Sequence, residues 1–121
     1  MPQRKIAWLE MSAPNRLQTA QFYADIFGLE LKDYPDMRYT TLATGNADLG
    51  IGIGQPTEEN PGGTYFYFES DDLEADLEAI KRKGGQVVAE PFEVPNVGSM
   101  AFFRDPGGNI MALGKFIPPG G

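Results

Sequence analysis

Hydrophobic and polar positions alternate at the start of the chain and then change to a helical spacing. The alternation runs over residues 5–11 and places Trp8 and Glu10 on one face of a predicted strand. A helix is predicted next, because Asn15 can cap its first turn and Gly28 is a natural residue to end it. The pattern therefore begins as a strand followed by a helix.

The same order continues along the chain and then recurs. A polar linker rich in Pro and Gly, residues 55–63, separates the two series. In the second series Asp71 is the predicted helix cap, with Glu74 at the capping-box position, and Gly84 ends the helix. The other predicted strands lie at 29–34, 37–43, 47–53, 64–69, 86–89, 99–104 and 109–116.

The two series share one spacing, which indicates a repeated unit. Both the predicted helix starts, Asn15 and Asp71, and the helix ends, Gly28 and Gly84, are 56 residues apart. We therefore predict a single α+β domain over residues 1–121. It consists of two tandem βαβββ modules, at about 4–54 and 64–117.

Composition narrows the class of protein. With 121 residues, 41% of them hydrophobic, the chain is long enough for one ordinary globular domain. No stretch reaches the roughly 18 apolar residues of a membrane span, and no apolar signal region follows Met1, so we expect a soluble cytoplasmic protein. The net charge of −7 argues against a nucleic-acid partner, and the basic run 81–83 fits a helix end.

Several motifs resemble those of one family. A turn with Asp105, Pro106 and Asn109 leads into an apolar strand, and the pairs Phe22-Tyr23 and Phe27-Gly28 close the first helix. Together with the module order, these motifs resemble the vicinal oxygen chelate superfamily of glyoxalases, bleomycin-resistance proteins and extradiol dioxygenases. The segments 94–98 and 102–106 are similar to a bacterial subgroup related to lactoylglutathione lyase. The resemblance implies modules that curl into half-barrels and enclose a cup for a small molecule.

The resemblance also implies where metal ligands would lie. Three of the four usual positions fall on Trp8, Tyr65 and Ala112, and the fourth falls in 47–53, on Asp48 or on one of its glycines. The chain has no histidine and no cysteine. Because a catalytic metal site needs about three protein ligands, we predict no metal site of the usual kind and no cofactor. An all-oxygen site of Glu10, Asp48 and Glu69 stays open as an alternative.

The same face of the sheet carries the candidate ligand-binding residues. Glu10 is a weak candidate for a general base or a cation-binding anchor, and the alternative is a structural carboxylate. Tyr65 and Tyr67 suit ligand stacking but also suit simple strand packing. Arg104 is a candidate anion ligand or a structural residue beside the turn. The full candidate set is Trp8, Glu10, Tyr65, Tyr67, Arg104 and Ala112.

Glycines at alternate positions mark the fourth predicted strand. Gly50, Gly52 and Gly54 leave one of its faces without side chains. This predicts either open space above the sheet or close packing against a neighbouring strand or subunit.

The functional prediction is a protein of this superfamily that binds a small organic molecule in an aromatic-lined cup without the usual metal. Sequestration of a cationic or aromatic compound, as in bleomycin-resistance proteins, is one form of this hypothesis. The alternative is an enzyme, either a glyoxalase-like lyase or isomerase or an extradiol-type dioxygenase, with an oxygen-ligand metal site. Whether the chain is an enzyme stays open, and the resemblance implies a homodimer.

Overall fold

A computed structural model describes residues 3–58 and 63–117. These ranges contain eight strands, two α helices and one 3₁₀ turn at Pro35–Met37. The strands are β1 (Ile6–Ser12), β2 (Glu30–Tyr34), β3 (Tyr39–Ala43), β4 (Ile51–Gly54), β5 (Gly63–Glu69), β6 (Gln86–Val94), β7 (Gly98–Arg104) and β8 (Ile110–Phe116). The helices are α1 (Arg16–Phe27) and α2 (Leu73–Arg82). The predicted α+β class and the twofold βαβββ order are confirmed.

The chain divides into two compact units. Of the described residues, 8–58 and 63–66 form the N-terminal unit, and 67–117 together with 3–7 form the C-terminal unit. The first residues join the C-terminal unit because the backbone N–H of Glu69 donates to the carbonyl of Lys5. No helix in the described ranges is long and apolar enough to cross a membrane.

In the N-terminal unit the strands are ordered β2-β3-β4-β1. β1 and β4 are parallel, and the other neighbours are antiparallel. α1 covers one face of this sheet, where Leu42 and Ile53 are fully buried against Ala20. The opposite face is the one that carries the candidate site.

The C-terminal unit repeats this ladder with the order β5-β8-β7-β6. β5 and β8 are parallel, and β8 and β6 are each antiparallel to β7. Leu73 and Leu77 of α2 pack against Ala101, Phe103 and Leu113 of the sheet. Leu73 and Leu77 thus form the buried hydrophobic stripe of α2.

α1 begins and ends where its sequence predicts. Asn15 accepts a hydrogen bond from the backbone N–H of Gln18, and Gly28 adopts a left-handed conformation with φ 68°. The apolar residues of α1 are spread around the helix, so only part of them can face the sheet. Ala20 is buried, whereas Leu17 is 45% exposed and Phe27 is 63% exposed.

The predicted cap of α2 was wrong by one residue. Asp72, not Asp71, accepts the backbone N–H of Ala75 and caps the helix. The N–H of Asp72 in turn donates to the hydroxyl of Ser70, which fixes the chain direction before the helix. The observed helix starts, Arg16 and Leu73, are therefore 57 residues apart. The starts of β1 and β5 have the same separation.

Two predicted strands, β4 and β6, differ most in length from the observed ones. β4 begins at Ile51 and not at residue 47, because a turn occupies the preceding residues, where Leu49 N–H donates to the carbonyl of Asn46. β6 continues to Val94 although it contains Pro91. β6 lies at the edge of its unit's sheet and has irregular register between Ala89 and Phe92, which is where a proline is tolerated.

The Asp105 turn is held by its own side chains. The carboxylate of Asp105 accepts backbone N–H bonds from Gly107 and Asn109 and a side-chain bond from the Asn109 amide. These donors hold the pKa of Asp105 below its usual value. Gly108 has φ 90°, a conformation that favours glycine. The motif that suggested the family thus has a structural function in joining β7 to β8.

Candidate functional site

Trp8, Glu10 and Tyr39 come together on one sheet face of the N-terminal unit. In the ladder Glu10 lies opposite Gly52 of β4, and Gly52 lies opposite Thr41 of β3. Because alternate residues of a strand share a face, the three side chains project away from the face that α1 covers. We call Trp8, Glu10 and Tyr39 the Glu10 cluster.

Tyr39 links the three side chains by hydrogen bonds. Its hydroxyl donates to Glu10 and lies 2.6 Å from both Oε1 and Oε2. The indole Nε1–H of Trp8 donates to the same hydroxyl oxygen at 3.0 Å. The indole thus donates to the phenol, and the phenol donates to the carboxylate. This arrangement favours the ionised form of Glu10.

Burial opposes that ionisation. Glu10 is only 7% exposed. Burial raises the pKa of Glu10 from 4.5 to about 7, against the opposite effect of the bonds from Tyr39 and Trp8. None of the ion pairs found among the described residues includes Glu10. In the part of the chain that the structure describes, Glu10 thus has neutral hydrogen-bond donors and no paired cation, and burial brings its pKa to about 7.

Two other partly buried carboxylates differ from Glu10 because each has a cation. Asp33 pairs with Arg16 at 3.1 Å, and the guanidinium holds the pKa of Asp33 below its usual value. Asp76 pairs with Arg4 at 2.8 Å, with the same direction of shift. Their charges are neutralised within the fold, as expected of structural residues. Within residues 3–58 and 63–117, Glu10 has no such cation.

Gly52 of β4 and the preceding Gly50 leave the space that the two rings of the cluster occupy. A Cβ atom at Gly52 would overlap the hydroxyl of Tyr39, and one at Gly50 would lie 2.6 Å from the Trp8 ring. A Cβ atom at Gly54 would make only an ordinary contact, 3.6 Å from the Tyr39 ring. The open space that the sequence suggested above these glycines is therefore filled by side chains of the same unit.

The corresponding face of the C-terminal unit is aromatic. Tyr67 of β5 lies opposite Ala112 of β8, and Ala112 lies opposite Phe102 of β7. The ring centroids of Tyr67 and Phe102 are 6.3 Å apart, and those of Tyr67 and Phe116 are 6.2 Å apart. Phe92 stacks on Phe102 at 5.9 Å. This face brings together two predicted residues, Tyr67 and Ala112.

The remaining predicted residues have separate positions. Arg104 donates to the carbonyl of Gly108 at 3.3 Å, which fits its structural alternative beside the Asp105 turn. Tyr65 is buried at 8% exposure and belongs to the N-terminal unit. Glu69 is exposed at the end of β5, and its backbone carbonyl accepts a hydrogen bond from the Arg4 guanidinium.

The acidic residues do not form a metal-binding group. Within residues 3–58 and 63–117, no three His, Cys, Asp or Glu side chains lie close enough together to hold a metal ion. The alternative set of Glu10, Asp48 and Glu69 is therefore not assembled. The ladder also resolves the ambiguity at β4, because Gly52 pairs with Glu10 as Ala112 pairs with Tyr67.

Tyr39 is the member of the cluster that the sequence did not reveal. It was placed in a predicted strand but not among the candidate residues. The glycines at alternate positions of β4 were the available signal. A sheet face without side chains must be filled from a neighbouring strand, and Tyr39 is the large residue at the start of β3.

Comparison with known proteins identifies the family. Residues 5–113 match the family model of the Glyoxalase/Bleomycin resistance protein/Dioxygenase superfamily. The chain belongs to this superfamily. Its members share the fold described above but differ in chemistry, so membership by itself does not assign a reaction.

Curated relatives within the superfamily have varied names. CFP32 of Mycobacterium bovis, whose name marks it as a candidate glyoxylase, is 30% identical over 116 residues, which cover 93% of this chain and 44% of CFP32. A glyoxylase-like domain-containing protein of Didymella fabae is 31% identical, over 90% of this chain and 91% of that protein. Lactoylglutathione lyase GLX1 of Arabidopsis thaliana is 30% identical, over 79% and 38%. The chain thus spans less than half the length of several relatives.

Solved structures confirm the superfamily fold. A hypothetical protein of Bacillus halodurans has a TM-score of 0.72 at 16% identity, with 96% of each chain covered. Methylmalonyl-CoA epimerase of Mycobacterium tuberculosis has a TM-score of 0.67 at 17% identity, over 93% of this chain and 87% of the epimerase. At this level of identity the likeness concerns the fold alone.

Proposed function

We propose that the chain binds a small organic molecule at the Glu10 cluster and needs no metal to do so. The observation that carries this proposal is a buried carboxylate with neutral donors and, among the described residues, no paired cation. Burying a charged group without a counter-charge costs free energy, and such groups are concentrated at functional sites. A ligand that brings a donor to Glu10 would compensate this cost.

The chemistry of the cluster supports a ligand with a hydrogen-bond donor. The hydroxyl of Tyr39 and the indole N–H of Trp8 already donate within the cluster. An ionised Glu10 has only acceptor atoms to offer. An ammonium or amidinium group suits it best, and a hydroxyl suits it less well, whereas a carboxylate or phosphate is repelled. The indole of Trp8 adds an apolar surface and attracts cations.

Metal independence is supported by the donor atoms at the family's ligand positions. Gly52 and Ala112 have no donor atom in their side chains, and Trp8 offers an indole in place of an imidazole or carboxylate. These residues do not fit a divalent metal. Ligand binding should therefore be unchanged by EDTA.

Ligand titration monitored by the single tryptophan tests this proposal. The chain contains one Trp, so its fluorescence reports on the cluster directly. We would titrate 2-phenylethylammonium, 2-phenylethanol and 3-phenylpropionate, with metal-free bleomycin as a larger cationic probe. The expected order of affinity is ammonium, then alcohol, then carboxylate, with Glu10→Gln removing the preference for cations. Equal affinities, or no response to any of the four, would reject the proposal.

A second candidate function is proton transfer, which the pKa of Glu10 near 7 favours. A general base works best when its pKa lies near the working pH. Glu10 would take a proton from the carbon next to a substrate carbonyl and return it, either to that carbon or to its neighbour. By their names, the similar proteins include an epimerase, methylmalonyl-CoA epimerase, and a lyase, lactoylglutathione lyase.

Isotope exchange separates this candidate from simple binding. Methylmalonyl-CoA and the hemithioacetal of methylglyoxal and glutathione would be incubated with the protein in D2O and EDTA. Deuterium incorporation that Glu10→Gln abolishes would support catalysis. Binding without deuterium incorporation would support the binding function and contradict proton transfer.

A homodimer remains our expectation for the assembly. The exposed apolar side chains of α1, including Phe22, Ile26 and Phe27, are compatible with self-association. Sedimentation velocity at several protein concentrations would test it, because a monomer at every concentration would contradict the expectation.

A further inference from the structure

We propose that Tyr39 is a positioning residue that holds the Glu10 carboxylate in one orientation, and that position 52 must be glycine to admit it. The proposal deepens the proposed function, because it concerns the same site. The geometry on which it stands does not depend on any ligand. Its decisive experiments are therefore done on the free protein.

The first observation is the equal distance from Tyr39 to the two carboxylate oxygens. The hydroxyl lies 2.6 Å from each Oε atom of Glu10. This distance is in the range of a hydrogen bond to an ionised carboxylate. Displacement of the carboxylate to either side of the hydroxyl would lengthen at least one of the two contacts. The hydroxyl therefore restricts the direction in which the free lone pairs of Glu10 point.

The second observation is the bond from Trp8. Its Nε1–H donates to the oxygen of Tyr39 at 3.0 Å. Because that oxygen accepts from the indole, the hydroxyl hydrogen is directed away from Trp8 and toward Glu10. Trp8 thus orients Tyr39, and Tyr39 orients Glu10.

The third observation concerns space. A Cβ atom at Gly52 would overlap the Tyr39 hydroxyl and would lie 2.7 Å from Oε2 of Glu10. No side chain at position 52 can coexist with Tyr39 in this place. By the ladder, position 52 is the counterpart of Ala112, where the family resemblance implies a metal ligand. A phenol from the next strand occupies the space that such a ligand would need.

Tyr39→Phe separates positioning from simple packing. The variant keeps the ring that fills the space above the glycines but removes the hydroxyl. The pKa of Glu10 would be measured from its side-chain ¹³C shift in both proteins without ligand. We expect a higher pKa in Tyr39→Phe, because the lost bond favoured the ionised form. An unchanged pKa would show that Tyr39 only fills space and would overturn the proposal.

Ligand affinity gives a second measurement on the same variant. For 2-phenylethylammonium we expect Tyr39→Phe to bind about tenfold more weakly than the wild type. If the wild type does not bind any probe, the proposed function fails, while the ¹³C titration still decides the role of Tyr39. Equal affinity of the two proteins for the ammonium probe would contradict positioning.

Paired glycine substitutions test the claim about space. Gly52→Ala should lower the melting temperature clearly, and Gly54→Ala serves as the matched control because its Cβ would meet Tyr39 only at 3.6 Å. In a Tyr39→Ala background the loss caused by Gly52→Ala should shrink, since the hydroxyl and ring are gone. Additive losses, or equal losses at the two glycines, would refute the exclusion between Tyr39 and a side chain at position 52.

Discussion

Glu10 and Tyr67 occupy the same position in the two repeats, 57 residues apart, but have opposite chemical surroundings. Glu10 is a buried carboxylate that accepts hydrogen bonds, and its strand partner Gly52 has no side chain. Tyr67 is a buried aromatic residue that packs on Phe102 and Phe116, and its strand partner is Ala112. The same arrangement of strands thus carries a polar cluster in one unit and an aromatic cluster in the other.

The difference shows which parts of the repeat are determined by packing. The faces toward the helices are alike, with aliphatic residues such as Ile53 in one unit and Leu113 in the other. The opposite faces diverge because they do not contribute to the helix-packed cores. The burial of the Glu10 carboxylate on such a face costs free energy. Such a residue is therefore stronger evidence of function than a core residue is.

The largest expected effect comes from placing a carboxylate in the aromatic face. Ala112 is fully buried, so Ala112→Glu would introduce a charge without a partner among the aromatic rings. We expect a loss of about 4 kcal/mol in unfolding free energy at pH 8. Urea denaturation would measure it, with Ala112→Gln as the uncharged control. A loss of equal size in both variants would mean that volume, and not charge, is the cause.

Removing the aromatic counterpart of Glu10 should have the next largest effect. Tyr67→Ala deletes a buried ring in contact with Phe102 and Phe116, and we expect a loss of about 3 kcal/mol. Tyr67→Phe keeps the ring and serves as the control. If Tyr67→Ala were as stable as the control, the aromatic cluster would not contribute to the fold.

Glu10→Gln should increase the free energy of unfolding at high pH, whereas the two preceding substitutions decrease it. The folded-state pKa of Glu10 is raised to about 7 from 4.5, so its burial costs little below pH 4.5, and the cost grows until the pH exceeds 7. Relative to the wild type, the variant should gain about 2 kcal/mol between pH 5 and pH 8. Urea denaturation at several pH values measures this gain. A difference that does not vary with pH would contradict a raised pKa.

The smallest effect is expected at the Asp105 turn, which joins β7 to β8 and belongs to neither cluster. Asp105→Ala removes the acceptor for Gly107 and Asn109 and should lower the melting temperature modestly. Asp105→Asn keeps one acceptor oxygen and should lose less. Ligand binding at the Glu10 cluster should be unchanged in both. A change in ligand affinity would assign the turn a function beyond structure.

Much of the fold could be predicted from the sequence because its signals are local. The cap at Asn15, the stop at Gly28 and the stripe of Leu73 and Leu77 depend on neighbours within a few residues. Errors arose where two residues offered the same chemistry, as Asp71 and Asp72 do at the second helix. They also arose at Pro91, where the edge position of β6 permits a proline that a central strand would exclude.

The candidate site was less predictable because it depends on contacts between strands. Alternation placed Trp8 and Glu10 on one face, but it could not show that Tyr39 of β3 reaches Glu10 across the glycines of β4. Nor could it distinguish a solvated Glu10 from a buried one, since burial depends on the assembled sheet. Arg104 illustrates the reverse case, because a charged residue that suits an anion site donates to its own turn.

The most direct test of a metal-free, donor-binding Glu10 cluster is the titration of 2-phenylethylammonium in EDTA, monitored by Trp8 fluorescence in the wild type and in Glu10→Gln. We predict saturable binding by the wild type and affinity at least about tenfold weaker in Glu10→Gln. Equal affinity in the two proteins, or binding only after a divalent metal is added, would contradict the central claim.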